Sequence, residues 1–171
     1  MNRQERRRRN KKKGQQRLVG GADLVAGPDR LLELFNGGDY HAALAEGLNM
    51  LKEDPDNSDV LSVLGVMHFN RGDLKAASSS LSQCVELDPK NGEAWLNLGL
   101  VHCHLRQLSE GIFALEKAQG LYPKDSNIRY NLGNAYFEMG KVDLAAKSYK
   151  LAYKLNADHA DAHIKIGLIA V

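Results

Sequence analysis

The amino-acid sequence predicts an all-α fold of the solenoid type, in which helix-turn-helix units stack along one axis. The main observation is a period of 34 residues. Glycine recurs with this period at Gly65, Gly99, Gly133 and Gly167, and the residue before it is Leu64, Leu98, Leu132 or Ile166. Small residues recur at Ala43, Ala77, Gly111 and Ala145, and proline at Pro55, Pro89 and Pro123, a series that Ala157 breaks. Several positions that share one period indicate an internal repeat rather than an accident of composition.

This pattern resembles the tetratricopeptide repeat, whose units carry Trp-x2-Leu-Gly-x2-Tyr, then Ala-x3-Phe, then Pro. Two neighbouring units match it best, with Trp95-x2-Leu98-Gly99 in one and Leu132-Gly133-x2-Tyr136 and Ala145-x3-Tyr149 in the other. His102 stands in the tyrosine place of the first of these units, and Arg129 replaces the tryptophan of the second. The resemblance implies a right-handed α-solenoid and covers nearly all of the chain after residue 23.

The period divides the chain into a basic tail with a linker (1–23), four repeat units and a partial fifth unit or terminal helix (160–171). The four units are 24–57, 58–91, 92–125 and 126–159. The first unit departs most from the pattern, because Gly27 and Pro28 fall inside its expected first helix and Gly47 stands where an aromatic residue is usual. We expect this unit to be a degenerate capping repeat whose first helix begins near Pro28.

Each unit contains two stretches with the apolar spacing of amphipathic helices. Gly38, Gly72 and Gly140 mark the turns between them, and the proline marks the end of a unit. A single unit cannot bury its apolar face alone, so neighbouring units stabilise one another by stacking. The leucines expected in this continuous core are Leu64, Leu74, Leu81, Leu98, Leu108, Leu115 and Leu132.

The last twelve residues begin like the first helix of a fifth unit, with His163, Ile166, Gly167 and Ala170 in the packing places. Apolar residues surround this helix, whereas a terminal capping helix normally has a polar outer face. Two interpretations stay open. Either the chain is a truncated piece of a longer protein, or 162–171 docks on a partner or on a second copy.

Charge is divided unevenly between the N-terminal tail and the rest of the chain. The formal net charge is +2, but residues 1–17 hold nine basic side chains and one acid, a net charge of +8, which leaves −6 for the remainder. The tail lacks apolar periodicity, which predicts disorder. Such a tail can contact nucleic acid or an anionic membrane surface by charge alone, or it can aid solubility or dock loosely on the acidic body.

The composition argues against membrane-spanning and secreted proteins. No uncharged stretch approaches the roughly 20 residues that a membrane-spanning helix needs. Asp23 and three glycines interrupt the segment in which a secretory signal would need an apolar core. Cys84 and Cys103 provide no disulfide framework, so we expect a reducing compartment, the cytoplasm.

The sequence contains no catalytic, cofactor-binding or metal-binding constellation, so we expect these residues to carry no enzyme activity. Glycine-rich phosphate loops, nucleophile elbows and zinc-binding helix motifs are missing. His102 and His104 are two residues apart on a predicted helix and point to nearly opposite sides, and His159 and His163 lack an obvious third ligand. Cys84 stands where alanines pack in later units, which predicts a core thiol.

The resemblance implies that the first helix of each unit lines a concave inner groove. Asn97 and Asn131 occupy equivalent places in consecutive units. An amide side chain both donates and accepts hydrogen bonds, so a row of asparagines can grip the backbone of an extended peptide. The predicted groove residues are Asn97, Asn127, Tyr130, Asn131, Asn134 and Glu138, with His104, Phe69 and Asn70 as weaker neighbours. The sequence therefore predicts a protein-interaction module, unless these asparagines merely solvate the groove or brace neighbouring helices.

The asparagine stripe also resembles that in the repeat arm of O-linked N-acetylglucosamine transferases, although Val63 and Lys165 fill the corresponding places in the flanking units. The alternative hypothesis is that the chain is the truncated N-terminal repeat arm of a larger glycosyltransferase. An in-frame catalytic domain encoded downstream of Val171 would favour the enzyme, and a stop codon there would favour a free-standing adaptor.

The charge of the tail makes a first testable prediction. Deleting residues 1–17 should lower the affinity of the chain for nucleic acid or for anionic lipid vesicles, because the deletion removes most of the positive charge that these polyanions attract. Mobility-shift and vesicle co-sedimentation assays measure this at low ionic strength. If the intact chain binds neither nucleic acid nor anionic vesicles at low salt, the nucleic-acid and membrane hypotheses for the tail are both wrong.

Overall fold

The computed structural model describes residues 28–157 and 160–169, so the predicted tail and linker lie outside the described residues. Within these ranges there are nine α-helices and no strand. They are α1 (Pro28–Asn36), α2 (Tyr40–Glu53), α3 (Ser58–Asn70), α4 (Leu74–Leu87), α5 (Gly92–His104), α6 (Leu108–Leu121), α7 (Ser126–Glu138), α8 (Val142–Leu155) and α9 (Ala160–Ile169). Each helix packs mainly against its neighbours in sequence, as in a solenoid. The predicted all-α solenoid is confirmed.

The helices α3, α5 and α7, which open the second, third and fourth predicted units, begin with the same capping interaction. Asn57, Asn91 and Asp125 precede them, one period apart. Each side-chain oxygen accepts a hydrogen bond from the backbone N–H three residues later, at distances of 3.2, 2.9 and 3.3 Å. Such a cap satisfies a donor that the first helical turn leaves free, and it contributes about 1 kcal/mol. The start of each of these helices is therefore encoded in the repeat.

The turns between paired helices require a left-handed backbone conformation. Gly38, Gly72 and Gly140 have φ angles of 85°, 81° and 77°, which confirms the predicted turn positions. Arg106 occupies the equivalent position in the third unit with a φ of 63°. A side chain strains this conformation, whereas glycine adopts it freely. The third unit thus keeps an arginine where the fold favours glycine.

The repeated glycines allow the two helices of a unit to pack closely. A Cβ atom on Gly65 would lie 2.5 Å from Leu81, one on Gly99 would lie 2.7 Å from Leu115, and one on Gly133 would lie 2.5 Å from Tyr149. Real Cβ atoms essentially never show such distances, so a methyl group here would force the opposing side chain, or the helix that carries it, to shift. We call this contact, a large apolar side chain seated on a helical glycine, the glycine notch.

The core forms three successive clusters, each of which spans neighbouring units. Five of the predicted core leucines are buried, namely Leu64, Leu81, Leu98, Leu115 and Leu132. Leu74 and Leu108 are only half-buried, because they begin α4 and α6 at the edge of the stack. Cys84 is fully buried, as predicted for a core thiol.

The two ends of the stack differ from its middle. In the first unit, the described residues open with α1 at Pro28, and Leu64 of the second unit fills the space beside Gly47. In α9, a Cβ built on Gly167 would meet, among the described residues, no atom within 4 Å beyond the adjacent backbone of its own helix.

Helix α9 buries Ala162 but not the residue expected to pack beside it. His163 is exposed and contacts the ring of Tyr153, so its predicted packing place is wrong. Within the described residues, α9 packs mainly against α8, and its Ile164 and Leu168 side chains are 60% and 69% exposed. Ala170, the fourth residue predicted to pack here, lies outside the described residues. Among the described helices, none combines the length and the apolar character needed to cross a bilayer.

The glycine notch can be tested with two matched substitutions. Gly133→Ala should lower the free energy of unfolding by roughly 1–3 kcal/mol, because the added methyl group overpacks against Tyr149. Gly167→Ala should leave it unchanged or raise it by up to about 1 kcal/mol, because the site is open and alanine favours helix. Urea denaturation measures both. Equal effects of the two substitutions would contradict the notch.

Candidate functional site

A cleft of about 350 Å³ lies between α5 and α7, the first helices of two consecutive units. Four of the predicted groove residues line it: His104, Asn131, Asn134 and Glu138. The other lining residues were not among those predicted for the groove, and they are Leu100, Cys103, Arg106 and Ala135. We call this site the Asn131 cleft. The cleft therefore presents two amides, the cation of Arg106, the anion of Glu138 and a small apolar surface.

The remaining predicted groove residues lie outside the lining of the Asn131 cleft. Asn97 is half-buried on α5, and Asn127 is exposed at the start of α7. Tyr130 packs with its ring 5.7 Å from that of Tyr149. Phe69 lies edge-on to His104 on the neighbouring helix, and Asn70 is exposed beside it. The structure thus brings together only part of the predicted stripe.

Asn134 has the bracing role that the sequence analysis left open for these asparagines. The hydroxyl of Tyr149 donates a hydrogen bond of 2.9 Å to the amide oxygen of Asn134. Tyr149 is fully buried, and this burial raises the pKa of its hydroxyl to about 12. Removing the amide would leave a buried hydroxyl unpaired, at a cost of roughly 1–3 kcal/mol. Asn134 therefore braces α7 against α8.

Asn131 differs from Asn134 in this respect. Its side chain is half-buried in the cleft, and within the described part of the chain its amide makes no side-chain hydrogen bond. An unengaged amide offers two donors and one acceptor, the groups that complement a peptide backbone. Asn131 is thus the residue of the predicted stripe that is best placed to bind a ligand.

Arg106 and Glu138 form an ion pair that joins the third and fourth units across the cleft. Both side chains are exposed, so the pair contributes at most about 1 kcal/mol to stability. Arg106 was not among the predicted groove residues. The 34-residue period could have pointed to it, because Arg106 interrupts the series of turn glycines at Gly38, Gly72 and Gly140.

The chemistry of the cleft favours binding over covalent reaction. Burial, together with the nearby charge of Glu138, raises the pKa of the Cys103 thiol to about 11, so the thiol is protonated at neutral pH. A protonated thiol is a poor nucleophile and a poor metal ligand.

The histidines near the cleft are engaged in other contacts. His102 faces away from it and forms a hydrogen bond of 2.7 Å between its Nδ1 and the Gln107 side chain. Within the described part of the chain, no three His, Cys, Asp or Glu residues lie close enough to hold a metal ion. His159 lies outside the described residues.

Three family models for tetratricopeptide repeats match the chain. One, described as TPR repeat, matches residues 133–170, and two, described as tetratricopeptide repeat, match 81–113 and 58–91. A search of curated protein sequences finds no significant match. The resemblance to the repeat arm of O-linked N-acetylglucosamine transferases stays a prediction.

Solved structures with the same architecture include MamA, YrrB and others. In a crystal structure of MamA, the sequence is 28% identical to this chain and the TM-score is 0.79, with 88% of this chain and 84% of that chain covered. MamA from Desulfovibrio magneticus RS-1 is 20% identical, with a TM-score of 0.78 over 82% of this chain and 80% of that one. YrrB, described as a TPR protein with an unusual peptide-binding site, is 21% identical, with a TM-score of 0.77 over 86% and 76% of the two chains.

The strained turn at Arg106 can be separated from its ion pair by substitution. In a Glu138→Gln background, which removes the ion pair, Arg106→Gly should raise the free energy of unfolding by about 1 kcal/mol, because glycine relieves the left-handed strain. Chemical denaturation of the single and double variants measures the difference. A decrease in stability would show that the arginine side chain has further stabilising contacts.

Proposed function

Because the chain carries tetratricopeptide repeats and shares its architecture with solved proteins of that kind, we propose that it is a protein-interaction scaffold that binds a peptide segment in the Asn131 cleft. The observation that carries this proposal is the unengaged amide of Asn131, half-buried in a cleft between two first helices. An amide that is not paired within the protein can exchange water for a group of the ligand, with a net gain of about 1 kcal/mol for each hydrogen bond.

The composition of the cleft supports an extended peptide as the ligand. Asn131 offers donors and an acceptor to main-chain groups, and Leu100 and Ala135 provide apolar surface for a side chain. Arg106 and Glu138 neutralise each other at the rim. Recognition should therefore depend more on the backbone of the peptide than on its charge.

The comparison with YrrB supports the same class of ligand. At 21% identity the likeness concerns the fold, and YrrB is described as having a peptide-binding site. A tetratricopeptide architecture of this size is thus compatible with peptide binding.

A single substitution tests the role of Asn131. Asn131→Ala should lower the affinity for a peptide selected on the intact chain by about tenfold, because one well-formed hydrogen bond contributes about 1 kcal/mol or somewhat more. The melting temperature should stay nearly constant. Fluorescence anisotropy with a labelled peptide and thermal denaturation measure the two effects.

Two further variants serve as controls for this prediction. Asn127→Ala changes an exposed asparagine of the same helix outside the cleft, so it should alter neither affinity nor stability. Asn134→Ala should lower stability through Tyr149, so the double substitution of Asn131 and Asn134 would not leave the melting temperature unchanged. If Asn131→Ala and Asn127→Ala bind equally well, the cleft is not the peptide site.

A further inference from the structure

A second cleft, of about 540 Å³, lies on the other side of α5, between α4 and α6. Its α5 wall consists of Trp95, Leu98 and His102, which share one helical face. No residue lines both this cleft and the Asn131 cleft. The two sites are therefore separate surfaces on opposite faces of one helix.

The floor of the second cleft is apolar and its wall is rigid. Val85, Leu98 and Ala114 are buried beneath it. The rings of Trp95 and Phe113 meet edge to face with centroids 6.1 Å apart. The indole Nε1 of Trp95 donates a hydrogen bond of 3.0 Å to the carbonyl oxygen of Pro89, which fixes the ring. A preformed apolar site loses little entropy when it binds a side chain.

Phe113 is the residue that the fold does not explain. Its side chain is 54% exposed. One period earlier and one period later stand Ser79 and Lys147, which are both polar residues. Two other units therefore fold with a hydrophilic residue at this position. An exposed aromatic side chain beside an apolar cleft is typical of a protein-binding surface.

The rim of the second cleft is acidic. Glu86 and Glu110 both line it and are exposed. Among the described residues, neither forms an ion pair. Lys117 lies at the aromatic wall, where its Nζ is 5.2 Å from the centre of the Phe113 ring. Two unpaired carboxylates beside an apolar floor complement a ligand that combines an apolar side chain with a cation.

We propose that this surface, the Phe113 cleft, docks a segment of a partner protein that carries one large apolar side chain with Lys or Arg beside it. The apolar side chain packs against the joined rings of Trp95 and Phe113, over the buried floor. The basic residue faces Glu86 and Glu110. Because this surface is independent of the Asn131 cleft, the chain can hold two segments at once, one on each face of α5.

The test begins with a random peptide library displayed on phage and selected on the full chain. Selected peptides are synthesised with a fluorescent label, and their affinities are measured by anisotropy against the wild type, Phe113→Ser and Asn131→Ala. One class of peptides should combine an aromatic or large aliphatic residue with Lys or Arg. This class should lose about tenfold or more in affinity with Phe113→Ser, as an anchor residue does, and should be unaffected by Asn131→Ala.

The variants use residues that the fold already accepts. Phe113→Ser and Phe113→Lys place the residues of the neighbouring units at this position, so both should fold, as circular dichroism can verify. Glu86→Lys introduces the residue that stands two periods later at Lys154. This substitution should weaken the binding of the same peptides and flatten its salt dependence, because it replaces the attraction between Glu86 and the basic residue of the peptide with a repulsion.

Four results would overturn the proposal. The first is that no selected peptide depends on Phe113, and the second is that the dependent peptides lack basic residues. In the third, the chain associates with itself in sedimentation experiments and Phe113→Ser abolishes this, which makes a second copy the occupant. In the fourth, deletion of residues 1–17 strengthens Phe113-dependent binding, which makes the chain's own basic tail the occupant. If Phe113-dependent peptides are found but no selected peptide depends on Asn131, only the proposed function of the Asn131 cleft is contradicted.

Discussion

The glycine notch is the contact on which the rest of the structure depends. Leu81, Leu115 and Tyr149 each rest on a helical glycine of the preceding helix, at a distance that excludes even a methyl group. This contact fixes how closely the two helices of a unit approach, and stacking then repeats the same geometry along the chain. The clefts on either side of α5 owe their shape to this regular spacing.

A regular scaffold of this kind makes its irregular residues informative. Arg106 keeps a side chain at a turn where other units have glycine, and Phe113 exposes an aromatic ring where the two neighbouring units have serine or lysine. Neither residue is required by the repeat, because the neighbouring units fold with other residues at these positions. Each lies at a cleft instead, with Arg106 paired to Glu138 on one face of α5 and Phe113 set against Trp95 on the other. The differences between units therefore locate the two candidate binding surfaces.

The sequence predicts the scaffold better than the site, for a physical reason. Helix packing repeats with the chain, so the 34-residue period reveals the notch glycines, the turn glycines and the buried leucines. Tertiary hydrogen bonds do not repeat. The hydrogen bond from Tyr149 gives Asn134, a predicted ligand residue, a structural role instead. This bond depends on the orientation of one ring, which the spacing of residues in the sequence does not encode. His163 was misplaced because its exposure depends on which helices cover α9.

The central claim is that a peptide binds in the Asn131 cleft. The most direct measurement is a titration of the isotope-labelled chain with a library-selected peptide, followed by nuclear magnetic resonance of backbone and side-chain amides. The account predicts that the side-chain amide of Asn131 shifts, together with backbone amides of α5 and α7 around Leu100 and Ala135, while the amides of α1 and α2 stay unchanged. Shifts that spare Asn131 and gather elsewhere on the solenoid for every selected peptide would contradict it.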